Sequence, residues 1–198
     1  MYTLNQVHGV GTNSGIKTVL DTWYQNNLTE VSDKIDGNVG FCGDRTSYIN
    51  SSGSTSGGGT GTTQTYYAAY IRLDTNKAPT FECENDSDLY TTSGSTNGNK
   101  ALTYPIGLIT ADEVAYAGGI WNTVNQSYYL YTDSVYWTMT PYWFNATDNW
   151  PCVFYVWGGS RLHGSVVNLE WGIRPVINLK ADVKISGGNG TSNNPYVI

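Results

Sequence analysis

Apolar residues first fall into a helical rhythm at Ile16, Val19, Leu20, Trp23 and Leu28, behind a capping candidate at Ser14. The spacing predicts an amphipathic helix over Gly15 to Asn27 that packs on a sheet. Residues 51–65 interrupt the pattern, and from Ser51 to Thr63 they are only Ser, Gly and Thr. Such a segment buries too little apolar area to order itself, so it reads as a flexible loop. The apolar pattern on its two sides is too sparse for two cores, which makes the loop an insertion and not a boundary. A second polar loop is expected from Thr91 to Asn99. Tyr104 to Ile109 then reads as a short strand. Thr110-Ala111-Asp112-Glu113 follows as a capping box, opening a helix over Ala111 to Ala117 that stops at Gly118-Gly119.

Beyond Tyr128 the pattern changes to short β-type runs separated by turns. These are Tyr128–Tyr131, Val135–Thr140, Cys152–Trp157 and Ile173–Leu179, with weaker runs at Asp182–Ile185 and Tyr196–Ile198. The fold class expected is α+β, with two helices packed on a twisted, mostly antiparallel sheet and long irregular loops. The expected organisation is a single domain over residues 1–198.

Composition changes this picture in two ways. Charged residues make up only 13% of the chain and aromatic residues 14%, with Gly, Ser, Thr and Asn supplying the polarity. That balance suits a secreted or surface-displayed domain better than a cytosolic enzyme. The net charge of −6, and the lack of any Lys or Arg between Lys100 and Arg161, leave no concentrated positive face for nucleic acid. No apolar run approaches the roughly 18–20 residues that span a membrane. Met1-Tyr2-Thr3-Leu4 does not read as a native start, which places any export signal or anchor upstream. The cysteines Cys42, Cys83 and Cys152 lack the short spacing of a zinc or redox motif. A Cys42–Cys83 bridge would close a long loop around the Ser/Gly/Thr tract, the alternative being two buried thiols.

Candidate chemistry is thin. His8 and His163 are the histidines, and His163 sits in a turn-like Leu162-His163-Gly164. Neither has the partners of a catalytic base, and Cys152 has only His163 as a conceivable activator. Asn85-Asp86-Ser87-Asp88 offers two carboxylates but reads as a solvated turn, so no metal, cofactor or catalytic residue is expected. The anomaly is aromatic: twelve of the thirty residues from Tyr128 to Trp157 are Phe, Trp or Tyr. Trp137, Met139, Val153, Tyr155 and Val156 lie within β runs and are expected to face inward. Trp143, Trp150, Trp157 and Trp171 adjoin turn-prone residues, where large side chains stay partly exposed. Tyr and Trp among Ser, Gly and Asn form the palette of binding surfaces. The expected ligand-binding residues are Tyr142, Trp143, Asn145, Asp148, Asn149, Trp150, Cys152, Phe154, Trp157, Arg161, His163, Asn168, Glu170 and Trp171.

The order of framework pieces adds to this reading. Thr103-Tyr104-Pro105-Ile106-Gly107-Leu108-Ile109-Thr110-Ala111-Asp112-Glu113-Val114 precedes Tyr128-Tyr129-Leu130-Tyr131 and Tyr136-Trp137-Thr138-Met139-Thr140-Pro141. Gly172-Ile173-Arg174-Pro175-Val176-Ile177-Asn178-Leu179 and Asn193-Asn194-Pro195-Tyr196-Val197-Ile198 follow. This arrangement resembles a group of Firmicutes and gut-metagenome surface proteins with a C-type-lectin-like fold of the formylglycine-generating-enzyme type. Asp21-Thr22-Trp23-Tyr24 and Phe41-Cys42-Gly43-Asp44-Arg45 are similar to that group's N-terminal half. The resemblance implies the variable protein of a diversity-generating retroelement, bacterial or phage, with residues 133–171 as its variable binding region. It also implies display at the cell surface or outside the cell, and a protein or glycan partner on another surface. The enzymes of this fold need a reactive cysteine pair, and only Cys152 is available. Calcium-dependent lectins need a Trp-Asn-Asp triplet with a partner triplet, where this chain has only Trp121-Asn122-Thr123. A carbohydrate-binding module and a structural adhesin or pilus-associated subunit are the rival expectations.

Overall fold

The computed structural model describes residues 13–48, 59, 63–191 and 193–198. His8 and most of the Ser/Gly/Thr tract lie outside the described residues. The chain is α+β, with few helices and a curled, mostly antiparallel sheet.

Helix α1 (Gly15–Asn27) has the predicted bounds, and the Ser14 hydroxyl accepts from the Lys17 N–H at its start. Its buried stripe differs from the expected one. Leu20 and Tyr24 are buried, with Ile16 and Leu28 half-buried in line with them, while Val19 and Trp23 are 56% and 42% exposed. Each residue turns the helix by about 100°, so Val19 and Trp23 stand beside the stripe made by steps of four. That stripe packs on Ile35, Ile106 and Leu108, with Tyr104 stacked on Tyr24 at 5.1 Å.

Strand β1 (Phe41–Cys42) is followed by β2 (Thr65–Tyr66), then by the single turn α2 (Ala68–Tyr70), which widens into a π-helical turn over Ile71–Thr75. Thr65, at the end of the predicted loop, is therefore a buried strand residue. Strand β3 (Leu89–Tyr90) pairs with β1, and the Cys42–Cys83 disulfide is formed beside them. The polar loop from Thr91 to Asn99 is folded inward. Thr91 and Ser95 are buried, and Thr91, Thr92 and Ser95 hydroxyls donate to the carbonyls of Asn97, Gly37 and Asn38. Short hydroxyl side chains here satisfy backbone that no strand partner reaches.

The predicted strand at Tyr104–Ile109 shrinks to β4 (Gly107–Leu108). Helix α3 (Ala111–Tyr116) carries the full capping box: Thr110 accepts from Glu113 N–H, and Glu113 accepts from Thr110 N–H at 2.7 Å. At the other end Gly119 N–H bonds Val114 O and Gly118 N–H bonds Ala115 O, with Gly118 at φ +105. This paired pattern caps the last turn and needs the left-handed backbone that glycine adopts freely.

The main sheet contains β5 (Ile120–Trp121), β6 (Tyr136–Asn145), β7 (Trp150–Val156), β8 (Arg161–Val166) and β9 (Gly172–Ile173) together with β2. Its order is β2-β6-β7-β8-β5, and β9 also pairs with β6; β5·β8 and β6·β9 are parallel, the remaining pairs antiparallel. Strand β10 (Pro175–Val176) pairs with β4. Tyr128–Tyr131 is a turn and not a strand, because Tyr128 turns inward and its hydroxyl meets that of Tyr136 at 2.7 Å. Asp182–Ile185 and Tyr196–Ile198 are not strands either; the C-terminal region makes the isolated bridges Gly187–Val197 and Thr191–Asn194. Phe154, Val156, Leu162 and Tyr136 meet Val114, Ala69 and Leu73 in the larger core.

Scarce charges are spent inside. Arg72 donates to both oxygens of Asp112 at 2.8 and 2.7 Å and to Asp44 at 2.6 Å, joining three separate segments. Arg45 pairs with Asp88, the one buried residue of the Asn85–Asp88 turn, whose other three residues are exposed as expected. Replacing Arg72 by Met leaves two carboxylates without their cation, and the expected loss is about 3–5 kcal/mol, read from the urea midpoint. Replacing both Cys42 and Cys83 by Ser releases a loop of 41 residues. The expected loss is about 4 kcal/mol, and a melting temperature unchanged by reductant contradicts it.

Candidate functional site

Strand β6 was expected to stop at Thr140, because Pro141 cannot donate to a sheet ladder. It continues to Asn145. Register shifts between Trp137 and Pro141 and between Pro141 and Trp143 absorb the missing donor as bulges. Thr138 donates to Phe154 O at 2.8 Å, and Thr140 accepts from the Ala111 N–H at 2.9 Å, holding β6 to β7 and to α3 across the irregular stretch. The consequence is positional. Tyr142, Trp143, Asn145 and Trp150, expected on turns, stand on the long β6–β7 hairpin.

His163 is likewise on β8 and not in a turn, with Gly164 beside it. A side chain at Gly164 would lie 2.2 Å from the Tyr142 ring, so the bare backbone there makes the slot into which that ring fits. Tyr142 stacks on Trp121 at 5.3 Å and meets Phe154 edge-on at 5.2 Å. Trp121 stacks on His163 at 5.1 Å, and His163 meets Tyr155 at 5.8 Å. Tyr155 and Trp137 both lie 4.3 Å from Trp171. At the other end Trp143 contacts Tyr142 at 6.0 Å and Tyr66 at 5.9 Å, and Tyr70 meets Tyr142 at 5.1 Å. The rings form one continuous ledge of contacts that turns around the sheet edge at Trp121: Tyr142 packs on the core face with Phe154 and Gly164, whereas Tyr155, paired with His163 and Trp137, points to the opposite face. Except for the buried Trp137 and Phe154, the rings from Tyr66 to Trp171 in this run are half-buried.

The remaining expected residues scatter. Asp148, Asn149 and Trp150 lie at the hairpin tip, where Asn145 donates to Asp148 at 2.8 Å and Asn149 takes a left-handed φ of 55. Trp150 is 50% exposed there. Trp157 and Arg161 lie at the opposite end of β7, a separation of about 20 Å at strand rise. Asn168 and Glu170 are exposed in the segment after β8. Cys152 and Phe154 are not surface residues: they are 3% and 0% exposed, because alternate positions of β7 face the core. Of the β residues expected inward, Trp137 and Val156 are buried, whereas Tyr155 joins the ledge. Tyr66, Tyr70 and Trp121 were missed. They come from short elements far from the hairpin in sequence, and only their aromatic character hinted at them.

Burial dominates the electrostatics of the ledge. Burial pushes the Cys152 thiol up to about 12, against a smaller opposing effect of Trp143, and its sulfur faces Trp150 O at 3.6 Å. Cys152 lies opposite Val166 whereas His163 lies opposite Tyr155, so the two are three positions apart along the strands, about 10 Å. Burial also raises the Tyr142 and Tyr155 phenols, partly offset at Tyr155 by the Arg161 charge. Tyr142 is raised further by its neighbour Tyr70. A separate cleft of about 210 Å³ lies between Arg72, Asp44, Asp112, Phe81 and the disulfide. Among the described residues no group of three or more His, Cys, Asp or Glu side chains is arranged to hold a metal ion. No described helix is long and apolar enough to cross a membrane.

No known protein family, curated protein or solved structure matches the chain. The site must therefore be read from its own geometry.

With its thiol protonated and buried, Cys152 is expected to resist iodoacetamide at pH 8 in the folded protein and to react fully in urea. Rapid native labelling would show that the strand opens or that the thiol is activated.

Proposed function

We propose that this chain is a surface-displayed binding protein whose ligand sits on the aromatic ledge. The observation that carries the reading is the ledge itself, a run of mutually packed, half-buried rings held by a sheet and by the Gly164 slot. Rings already fixed by their neighbours lose little entropy when a ligand covers them, which is the economy that binding hot spots use. Cys152, the thiol beside these rings, is buried and held protonated, and the reading is binding without catalysis.

The finer identity we propose is a C-type-lectin-like variable protein of a diversity-generating retroelement. Support comes from the framework motifs and from where they fall. Trp137 to Pro141 and Gly172 to Val176 sit in paired strands, and the residues between them supply Tyr142, Trp143, His163 and Trp171 to the ledge. A reverse transcriptase gene beside a near-copy of the codons for residues 133–179 is the expected genomic neighbourhood, and its absence removes the diversification part alone. The partner is a protein or glycan on another surface. The exposed Trp150 favours the glycan alternative.

Panels of extracellular proteins and of glycans, probed with the full chain, test the binding claim. Trp171→Ala and Tyr142→Ala are each expected to weaken the captured ligand about tenfold or more, while Trp23→Ala on α1 leaves it unchanged. Affinity should vary little with salt. The reverse pattern, with Trp23 critical and both ledge variants silent, sinks the ledge as the site.

A further inference from the structure

Of the four arginines, three have a clear structural use. Arg45 and Arg72 are held by carboxylates, and Arg174 donates to the Thr132 hydroxyl at 2.8 Å while covering the Tyr136 ring. Arg161 is different. Its guanidinium lies 4.6 Å from the centre of the Trp157 ring, and its Nε is buried with no hydrogen-bond partner. Among the described residues no carboxylate lies within ion-pair distance of it. Arg161 as a whole is only half-buried, so a ligand anion that reached its terminal nitrogens would supply the charge partner that the fold does not.

The corner is built and not merely exposed. Trp157 N–H bonds Arg161 O at 3.0 Å, and Ser160 N–H bonds Trp157 O at 2.7 Å, closing a tight turn. Ser160 takes φ 67 and is buried, and its hydroxyl accepts from Asn125 N–H at 3.1 Å, fastening the turn to the segment after β5. A side chain on Gly159 would fall 2.6 Å from the Trp157 ring, so bare backbone packs against the indole. The side chain of Arg161 is thus aimed by a fixed turn. Tyr155, whose phenol feels the Arg161 charge, connects the corner to the ledge through Trp171 and His163.

We propose that Arg161, seated on Trp157, is the anchor for a single acidic side chain, Asp or Glu, of a protein ligand that covers the ledge. The inference rests on the ledge as the binding surface. Charge selects the class: Arg161 is the sole Lys or Arg from residue 101 to residue 173, in a chain of net charge −6. One cation in an acidic protein matches one carboxylate and repels a polyanion. An acidic sugar is the less favoured source, since the Trp157 ring is already occupied by the Gly159 backbone and the guanidinium and does not present a bare platform.

NMR of the full chain tests this, following the Arg161 Nε–H and the Trp157 indole N–H during titration. The probes are N-acetylglutamate, its uncharged counterpart N-acetylglutamine, and glucuronate. Saturable shifts of both signals with N-acetylglutamate, little response to N-acetylglutamine and a weaker one to glucuronate are expected. Arg161→Ala should weaken the N-acetylglutamate response about tenfold or more, with Arg161→Lys in between because it keeps the charge and loses the fork. Equal shifts from the acid and the amide overturn the proposal. Tighter binding of glucuronate overturns the choice of a protein acid. Either result leaves the ledge standing, because that surface is judged by Trp171 and Tyr142 and not by Arg161.

Discussion

Strand β6 carries a buried proline at its middle, and the molecule is arranged around keeping that strand intact. Pro141 removes a donor from the ladder, and the register shifts on each side of it let ten residues remain one strand. Thr138 and Thr140 restore the lost order with hydroxyl bonds, one to β7 and one to the first turn of α3. Met139 N–H bonds Ile109 O, so the same stretch also receives the segment that leads into the capping box. β2, β7 and β9 all pair with β6, and α3 rests on it. A bulge also re-aims side chains. Tyr142 packs across β7 toward the Gly164 slot on β8, and Trp143 toward Tyr66 on the neighbouring β2.

Two kinds of polar chemistry are kept apart by this arrangement. Arg45 and Arg72 pair with Asp88, Asp44 and Asp112 within the fold and fasten the N-terminal half to α3. Paired and half-buried, these groups resist reorganisation, because removing one strands the others. The aromatic ledge has the opposite character. Its rings satisfy one another by packing, its phenols are held neutral by burial, and its one cation is left with a ring for company. The first set holds the fold; the second lines a half-buried surface.

The capped helices were legible because their signals are local. Ser14, Thr110 and Glu113 act within three residues of themselves, and Gly118-Gly119 ends α3 through its own backbone. The strands were legible only where the alternation was unbroken. Pro141 hid the second half of β6, and Leu162-His163-Gly164 hid β8, since glycine and histidine there read as a turn. In the fold that glycine is a packing requirement set by Tyr142, a residue 22 positions away in the chain (164 minus 142).

By itself, then, the sequence determined the α+β class, both capped helices and the concentration of aromatic residues beyond Tyr128. Each of these follows from composition or from interactions between near neighbours in the chain. Tertiary structure alone decided which rings are core and which are ledge. Cys152 and Phe154 went inside because β7 pleats toward α3, and Tyr66, Tyr70 and Trp121 joined the ledge because β2, α2 and β5 flank the hairpin and β8. A one-residue difference in strand position reverses the face a side chain occupies, and the bulges at Pro141 set that position. The exposure of an aromatic residue is therefore a property of pairing register, which a linear pattern interrupted by proline does not carry.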